Sequence, residues 1–161
     1  MMGGVKRKIR CAGKPMTAVV LAGGRGRRMK AEKAGLAVGG RTLLGHVLAQ
    51  IEPYFDEVLI SLSPGQSLRL EKKMRAGTLR IVEDATPGLG PLGGMLAGLK
   101  AARHEACAVI ACDIPEIDLP LLRSVVRAAR DADIAVPVGP AGLHEPLFAV
   151  YRKSVVPEIE A

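Results

Sequence analysis

The sequence predicts an α/β fold in three layers, αβα, with a mostly parallel sheet covered by helices on both faces. Short, nearly all-apolar runs at 17–21, 57–62, 79–82, 106–112, 134–137 and 147–151 alternate with amphipathic stretches at 42–51, 67–75, 92–103 and 119–129. Strands buried on both faces read as such continuous apolar runs, and the helices between them supply the crossovers that parallel strands need. Apolar residues make up 48% of the chain but aromatics only 2%, so the core is built from Ala, Val, Leu and Ile, which suits helix on sheet better than an aromatic-rich sandwich. At 161 residues the chain has room for one domain with a real core.

Taken in order, residues 1–15 carry Gly, Lys and Arg without periodicity and end at Pro15, so they read as a flexible basic extension, with residues 16–161 as a single domain. The runs at 17–21, 57–62, 79–82 and 106–112 are the parallel strands, each followed by a helical pattern. Beyond Asp133, Pro137, Gly139, Pro140 and Gly142 break the pattern before the run at 147–151, which predicts a connection and an antiparallel strand. Residues 154–161 read as the first turns of a helix.

The formal charge is +7, yet its distribution argues against a nucleic-acid track. Lys6, Arg7, Lys8, Arg10 and Lys14 lie in the first fifteen residues; without them 18 bases face 16 acids, and without residues 25–33 as well, 13 face 15. The positive charge is concentrated in a tail and one loop, which suits a compact polyphosphate. Cys11, Cys107 and Cys112 lack metal-ligand spacing and read as buried, reduced thiols. No signal peptide or membrane span is legible, so a soluble, cytoplasmic protein is expected.

The first strand runs into Gly23-Gly24-Arg25-Gly26-Arg27-Arg28-Met29-Lys30-Ala31-Glu32-Lys33. Glycines let backbone N–H groups approach phosphate oxygens, and the bases neutralise charge. The Gly-Lys-Ser/Thr ending of a Walker loop is absent, and Met29 stands where a dinucleotide fingerprint needs its third Gly. After the third strand come Asp84 and then Gly90-Pro91-Leu92-Gly93-Gly94, where Pro and Gly open a helix. The fourth strand ends in Cys112-Asp113-Ile114-Pro115, a carboxylate at the carboxyl tip of a central strand, where open α/β sheets bind ligands. Asp118 is better placed than Asp113 to cap the following helix.

These motifs resemble the nucleotidyltransferases, whose signature loop reads Leu-Ala-Gly-Gly-x-Ser-x-Arg-Met-Gly-x-Asp-Lys at the spacing of residues 21–33. Within them the chain is most similar to the molybdenum cofactor guanylyltransferases, which convert molybdopterin and GTP to the guanine dinucleotide cofactor and pyrophosphate. It departs from the loop at Gly26 for Ser, Lys30 for Gly and Glu32 for Asp. The resemblance implies a Rossmann-like fold of nucleotide-diphospho-sugar transferase type. It also implies guanine contacts from the Leu21, Ala22 and Gly23 backbone and from Ser61, where Asn is usual. By the same likeness GTP meets Asp84 and the Pro91-Leu92-Gly93 element, and Asp113 ligates Mg²⁺. Gly24 and Arg25 join the nucleotide site by loop position, and Arg28 and Lys33 act with Asp113 in catalysis.

The family has a similar Pro-Leu-Phe segment near its second substrate, so the resemblance makes His144, in His144-Glu145-Pro146-Leu147-Phe148, the candidate for contact with the acceptor, molybdopterin or another phosphorylated small molecule; a surface-loop histidine is the equal alternative. An acceptor phosphate with a second pKa of about 6 needs no general base, in keeping with a chain that shows no Ser/His/Asp or Cys/His constellation. The rival readings are cytidylyl transfer to molybdopterin, guanylyl transfer to another phosphorylated acceptor, and a nucleotide-binding protein without turnover. A protein partner or a homo-oligomer is compatible with all of them.

Overall fold

The computed structural model describes residues 6–23, 37–38, 41–66, 78–84 and 88–161. The helix expected at 67–75 and most of the basic loop, 24–36, lie outside them. Strands β1 (Met16–Leu21), β4 (Glu57–Leu62), β5 (Leu79–Glu83), β6 (Ala106–Ala111), β7 (Ile134–Ala135) and β8 (Phe148–Arg152) form one sheet in the order β5-β4-β1-β6-β8-β7. The first four are mutually parallel, and β8 runs antiparallel to β6. Two short strands, β2 (Ala37–Val38) and β3 (Arg41–Thr42), pair apart from it.

Side chains alternate across β1. Met16, Ala18 and Val20 face a core shared with α1 (Leu43–Ile51) and α3 (Leu119–Ala128), while Val19 and Leu21 face a second core with α2 (Pro91–Ala101). This period of two, apolar on both sides, is why the strand reads as an unbroken apolar run. In α1 the buried stripe is Leu44, Val47, Leu48 and Ile51, spaced for one helix face, and the Thr42 hydroxyl caps the helix by accepting from Gly45 N–H at 3.0 Å. Asp118 caps α3 in the same way, accepting from Leu121 N–H at 2.8 Å.

Helix α2 ends two residues earlier than the sequence pattern suggests. Ala102 is extended, and the Arg103 N–H is taken by the Glu57 carboxylate at 2.8 Å. Close packing of α2 on β1 depends on Gly98, since a Cβ there would collide with the Val19 side chain. Strand β7 stops at Ala135, short of the expected 137; Pro137 has no N–H to extend the ladder. Strand β8 is the expected antiparallel strand, and α4 (Val156–Glu160) follows it.

The basic segment at the start is not free from Lys6 onward, which corrects the expectation of a flexible extension there. Ile9 and Cys11 are buried in the α1/α3 core, and Ile9 N–H donates to Tyr54 O at 2.8 Å. Lys8 donates to Phe55 O, Arg10 pairs with Asp56 at 3.0 Å, and Lys6 lies over the Tyr54 ring. Two apolar anchors among cations suffice to dock the segment beside the amino ends of the strands.

Near the same end of the sheet, Glu57 is buried at 1% exposure and fully engaged. It accepts from Thr17 Oγ1 at 2.8 Å, from Arg80 Nη2 at 2.7 Å and from Arg103 N–H. Burial pushes its carboxyl up, but the Arg103 N–H, the Thr17 hydroxyl and Arg80 together outweigh burial and hold it below the usual value. None of the three cysteines is in a disulfide; Cys11 and Cys107 are buried as expected, whereas Cys112 is half-buried at the carboxyl tip of β6.

Candidate active site

Strand order reverses at β1: the chain passes outward to β4 and β5, then returns across β1 to β6. The crevice outside the carboxyl ends at such a point is where this architecture binds ligands. Register brings the right residues level there, with Leu21 opposite Ser61 on one side and Ala111 on the other, and Leu62 opposite Glu83.

Past β1 the chain is held by its backbone. Ala22 and Gly23 N–H both donate to Ser61 O, at 2.9 and 3.0 Å, and Leu21 O accepts from Cys112 N–H at 3.1 Å. Gly23 is required because a Cβ would stand 2.7 Å from Ser63 N. Gln66 fastens the adjoining loop, its Oε1 accepting from Ser63 N–H at 3.2 Å while its Nε2 donates to Ala22 O at 3.4 Å.

Leu21, Gly23, Ser61, Asp84 and Pro91, all singled out from the sequence, line one pocket together with Leu62, Ser63, Gly90 and Gly94. Gly90 has φ +57° and turns the chain into α2, whose first residue is Pro91. Asp84 is 8% exposed, with its carboxylate against Gly93 in the first turn of α2. A carboxylate at a helix N-terminus is favoured by the helix dipole. Ser61 is 1% exposed, and its hydroxyl finds no hydrogen-bond partner among the described residues. A buried polar atom of this kind at a pocket wall has hydrogen-bonding capacity to offer a ligand.

Ala22 presents its backbone near the pocket while its side chain packs into the α1/α3 core. Leu92 is 40% exposed and is not a lining residue, because the second position of α2 points away. Gly24, Arg25, Arg28 and Lys33 lie outside the described residues. Ser63 and Gly94 were missed, although the strand-end rule pointed to Ser63 and the Gly93-Gly94 pair to Gly94.

Asp113 sits in the turn after β6, next to the end of β1. Its carboxylate is exposed and forms no hydrogen bond or ion pair with a described residue. No group of three or more His, Cys, Asp or Glu side chains gathers among the described residues. One carboxylate is a donor set that suits an ion sharing its ligands with substrate phosphates, as Mg²⁺ does. His144 lies on an exposed hairpin in which Val138 pairs with His144 and Gly139 N–H donates to Leu143 O at 2.8 Å. Ala111 N–H donates to Leu147 O at 2.9 Å, which brings the base of the hairpin to the carboxyl end of β6. The pocket and His144 therefore flank the Asp113 turn on opposite sides.

A crevice at the reversal of a parallel sheet, glycines at the exit of β1, a polar pocket against the start of α2 and a carboxylate at the tip of β6 define a nucleotidyltransferase-type α/β protein. Residues 18–161 match the family described as MobA-like NTP transferase domain. The chain belongs to that family. It is 42% identical over 145 residues to the probable molybdenum cofactor guanylyltransferase of Pelotomaculum thermopropionicum, covering 89% of this chain and 67% of that one. It is 37% identical over 148 residues to the molybdenum cofactor guanylyltransferase of Pseudomonas putida, covering 91% and 75%. The crystal structure of molybdopterin-guanine dinucleotide biosynthesis protein A from Archaeoglobus fulgidus superposes with a TM-score of 0.67 at 26% identity, covering 90% of this chain and 71% of that chain. No helix among the described residues is long and apolar enough to cross a membrane.

Proposed function

We propose that this protein transfers GMP from GTP to molybdopterin, releasing pyrophosphate and forming the guanine dinucleotide cofactor, in the cytoplasm. The observation that carries the reading is the convergence of Leu21, Gly23, Ser61, Asp84 and Pro91 on one pocket beside the Asp113 turn, within a body that matches the family over residues 18–161. Relatives carrying the guanylyltransferase name support the choice of nucleotide and acceptor.

The nucleoside end of GTP enters the pocket, where Ser61 offers an unengaged hydroxyl and Asp84 a carboxylate acceptor. Its triphosphate runs towards the basic loop, where Arg25, Arg28 and Lys33 neutralise phosphate charge. Asp113 holds Mg²⁺, which when bound supplies a counter-charge to the triphosphate. The acceptor enters from the His144 side, its terminal phosphate already largely ionised at neutral pH with a second pKa of about 6. A phosphate oxygen attacks the α-phosphorus in line, forming the new P–O bond as the bond to the β-phosphate oxygen breaks. The protein's share is positioning and charge neutralisation, with no proton to remove.

Pyrophosphate release with molybdopterin, compared for GTP, CTP and ATP and repeated with Asp113→Ala, tests this. Release with GTP that the variant loses upholds the reading. Release with CTP in place of GTP moves the chain to cytidylyl transfer, and GTP binding without turnover makes it a nucleotide-binding protein.

A further inference from the structure

The Asp113 turn is clipped to α1 by a single side chain far away in sequence. Gln50, in the last turn of α1, donates from Nε2 to Pro115 O at 3.1 Å and accepts at Oε1 from Ile117 N–H at 2.9 Å. The same Nε2 lies 3.3 Å from His46 O, one turn back in α1, so the amide is tied to its own helix as well. Both backbone groups flanking Glu116 are thereby satisfied by one planar amide. The loop is also fastened by the Cys112 N–H to Leu21 O bond at one end, by Ile114 N–H to Ala111 O at 3.5 Å across the Asp113 turn, by Ile114 and the buried Ile117 packing on the core, and by the Asp118 cap at the other end.

We propose that Gln50 is a positioning residue for Asp113: by clipping residues 115–117 to α1 it sets where the Asp113 carboxylate stands relative to the end of β1. This rests on the reading of Asp113 as a metal carboxylate. A carboxylate without protein hydrogen bonds of its own takes its position from the backbone beneath it, and an exposed turn is held only as well as its polar groups are paired. Glutamine is the side chain for the task because the clip needs one donor and one acceptor on a rigid plane. Gln50→Met keeps the bulk and removes both bonds. Gln50→Glu keeps the acceptor for Ile117 N–H and turns an acceptor towards Pro115 O.

The test is Mn²⁺ binding to the protein–GTP complex, read by EPR of free Mn²⁺, alongside GTP affinity in EDTA and the thermal midpoint. Gln50→Met is expected to weaken Mn²⁺ binding about tenfold, the scale on which groups that orient a metal ligand act. GTP affinity in EDTA should change less than twofold, and excess Mg²⁺ should restore turnover. Gln50→Glu should fall between Gln50→Met and the native protein, and it carries the test if Gln50→Met fails to fold. A lower thermal midpoint with unchanged Mn²⁺ affinity overturns the proposal, leaving Gln50 a structural staple. Asp113→Asn, run in parallel, separates the two readings. If it weakens Mn²⁺ binding while the Gln50 variants do not, only the Gln50 proposal falls. If Asp113→Asn also leaves Mn²⁺ binding unchanged, the metal reading falls and this inference with it.

Discussion

The Asp84 carboxylate stands where a side chain on Gly93 would begin, with Oδ1 2.7 Å from the position of a Cβ. The last residue of the β5 exit and the first turn of α2 thus share one small volume, and the glycine is what leaves room for the acid. Asp84 is itself set by its N–H, which donates to Leu62 O at 2.9 Å, so it has little freedom to retreat.

Gly93→Ala should therefore displace Asp84 from the pocket wall. The methyl crowds a buried side chain anchored through its own backbone, so overpacking outweighs the helix propensity gained. The expected outcome is a GTP dissociation constant raised about tenfold, or roughly 1.4 kcal/mol, together with a stability loss of about 1–3 kcal/mol. Isothermal calorimetry and a melting curve on the same sample check both halves.

Glu57 should govern acid stability. Its folded carboxyl is held below the usual value, so its contribution is complete above the unfolded value of about 4.3 and is lost as pH falls through the lowered folded one. Urea unfolding of the native protein should weaken from about pH 5 downward. Glu57→Gln should be less stable at pH 7 by about 1–2 kcal/mol and show a flatter acid limb, since an amide replaces the carboxylate that accepts from Thr17 and Arg103 N–H, while the exposed Arg80 and Arg103 guanidinium groups stay hydrated.

Ile9→Ala should destabilise the protein by about 2–4 kcal/mol, because the side chain is 2% exposed in the core and its loss leaves a cavity. Turnover at saturating substrate should not change. A free tail would instead give no shift in the urea midpoint.

The thiols should differ in reactivity. Burial pushes Cys107 up to about 12, so it stays a protonated, inaccessible thiol at pH 8. Iodoacetamide followed by peptide mass spectrometry should label half-buried Cys112 first and leave Cys11 and Cys107 unmodified until denaturant is added.

Much of the site was legible because it lies at strand ends. A run such as Thr17-Ala-Val-Val-Leu21 announces a strand buried on both faces, and the residues just past such runs must gather at one edge of a parallel sheet. Asp113 and Asp118 could be told apart from spacing alone, since only Asp118 stands at the cap distance from the N–H groups of α3. The docking of residues 6–14 was not legible. Ile9 and Cys11 are two apolar residues in a basic stretch, and no periodicity in nine residues distinguishes anchors from chance.

By itself, the sequence determined the alternation of strands and helices, the basic, glycine-rich character of the loop at 23–33 and the family. These follow from local periodicity, glycine placement and charge, properties carried by neighbouring residues. The tertiary structure decided that Ser61, Asp84 and Pro91 share one pocket wall, that Glu57 is buried among Thr17, Arg80 and Arg103, and that Gln50 holds the turn after β6. Each of those depends on strand order and on hydrogen bonds between residues tens of positions apart, and no local pattern encodes such distances.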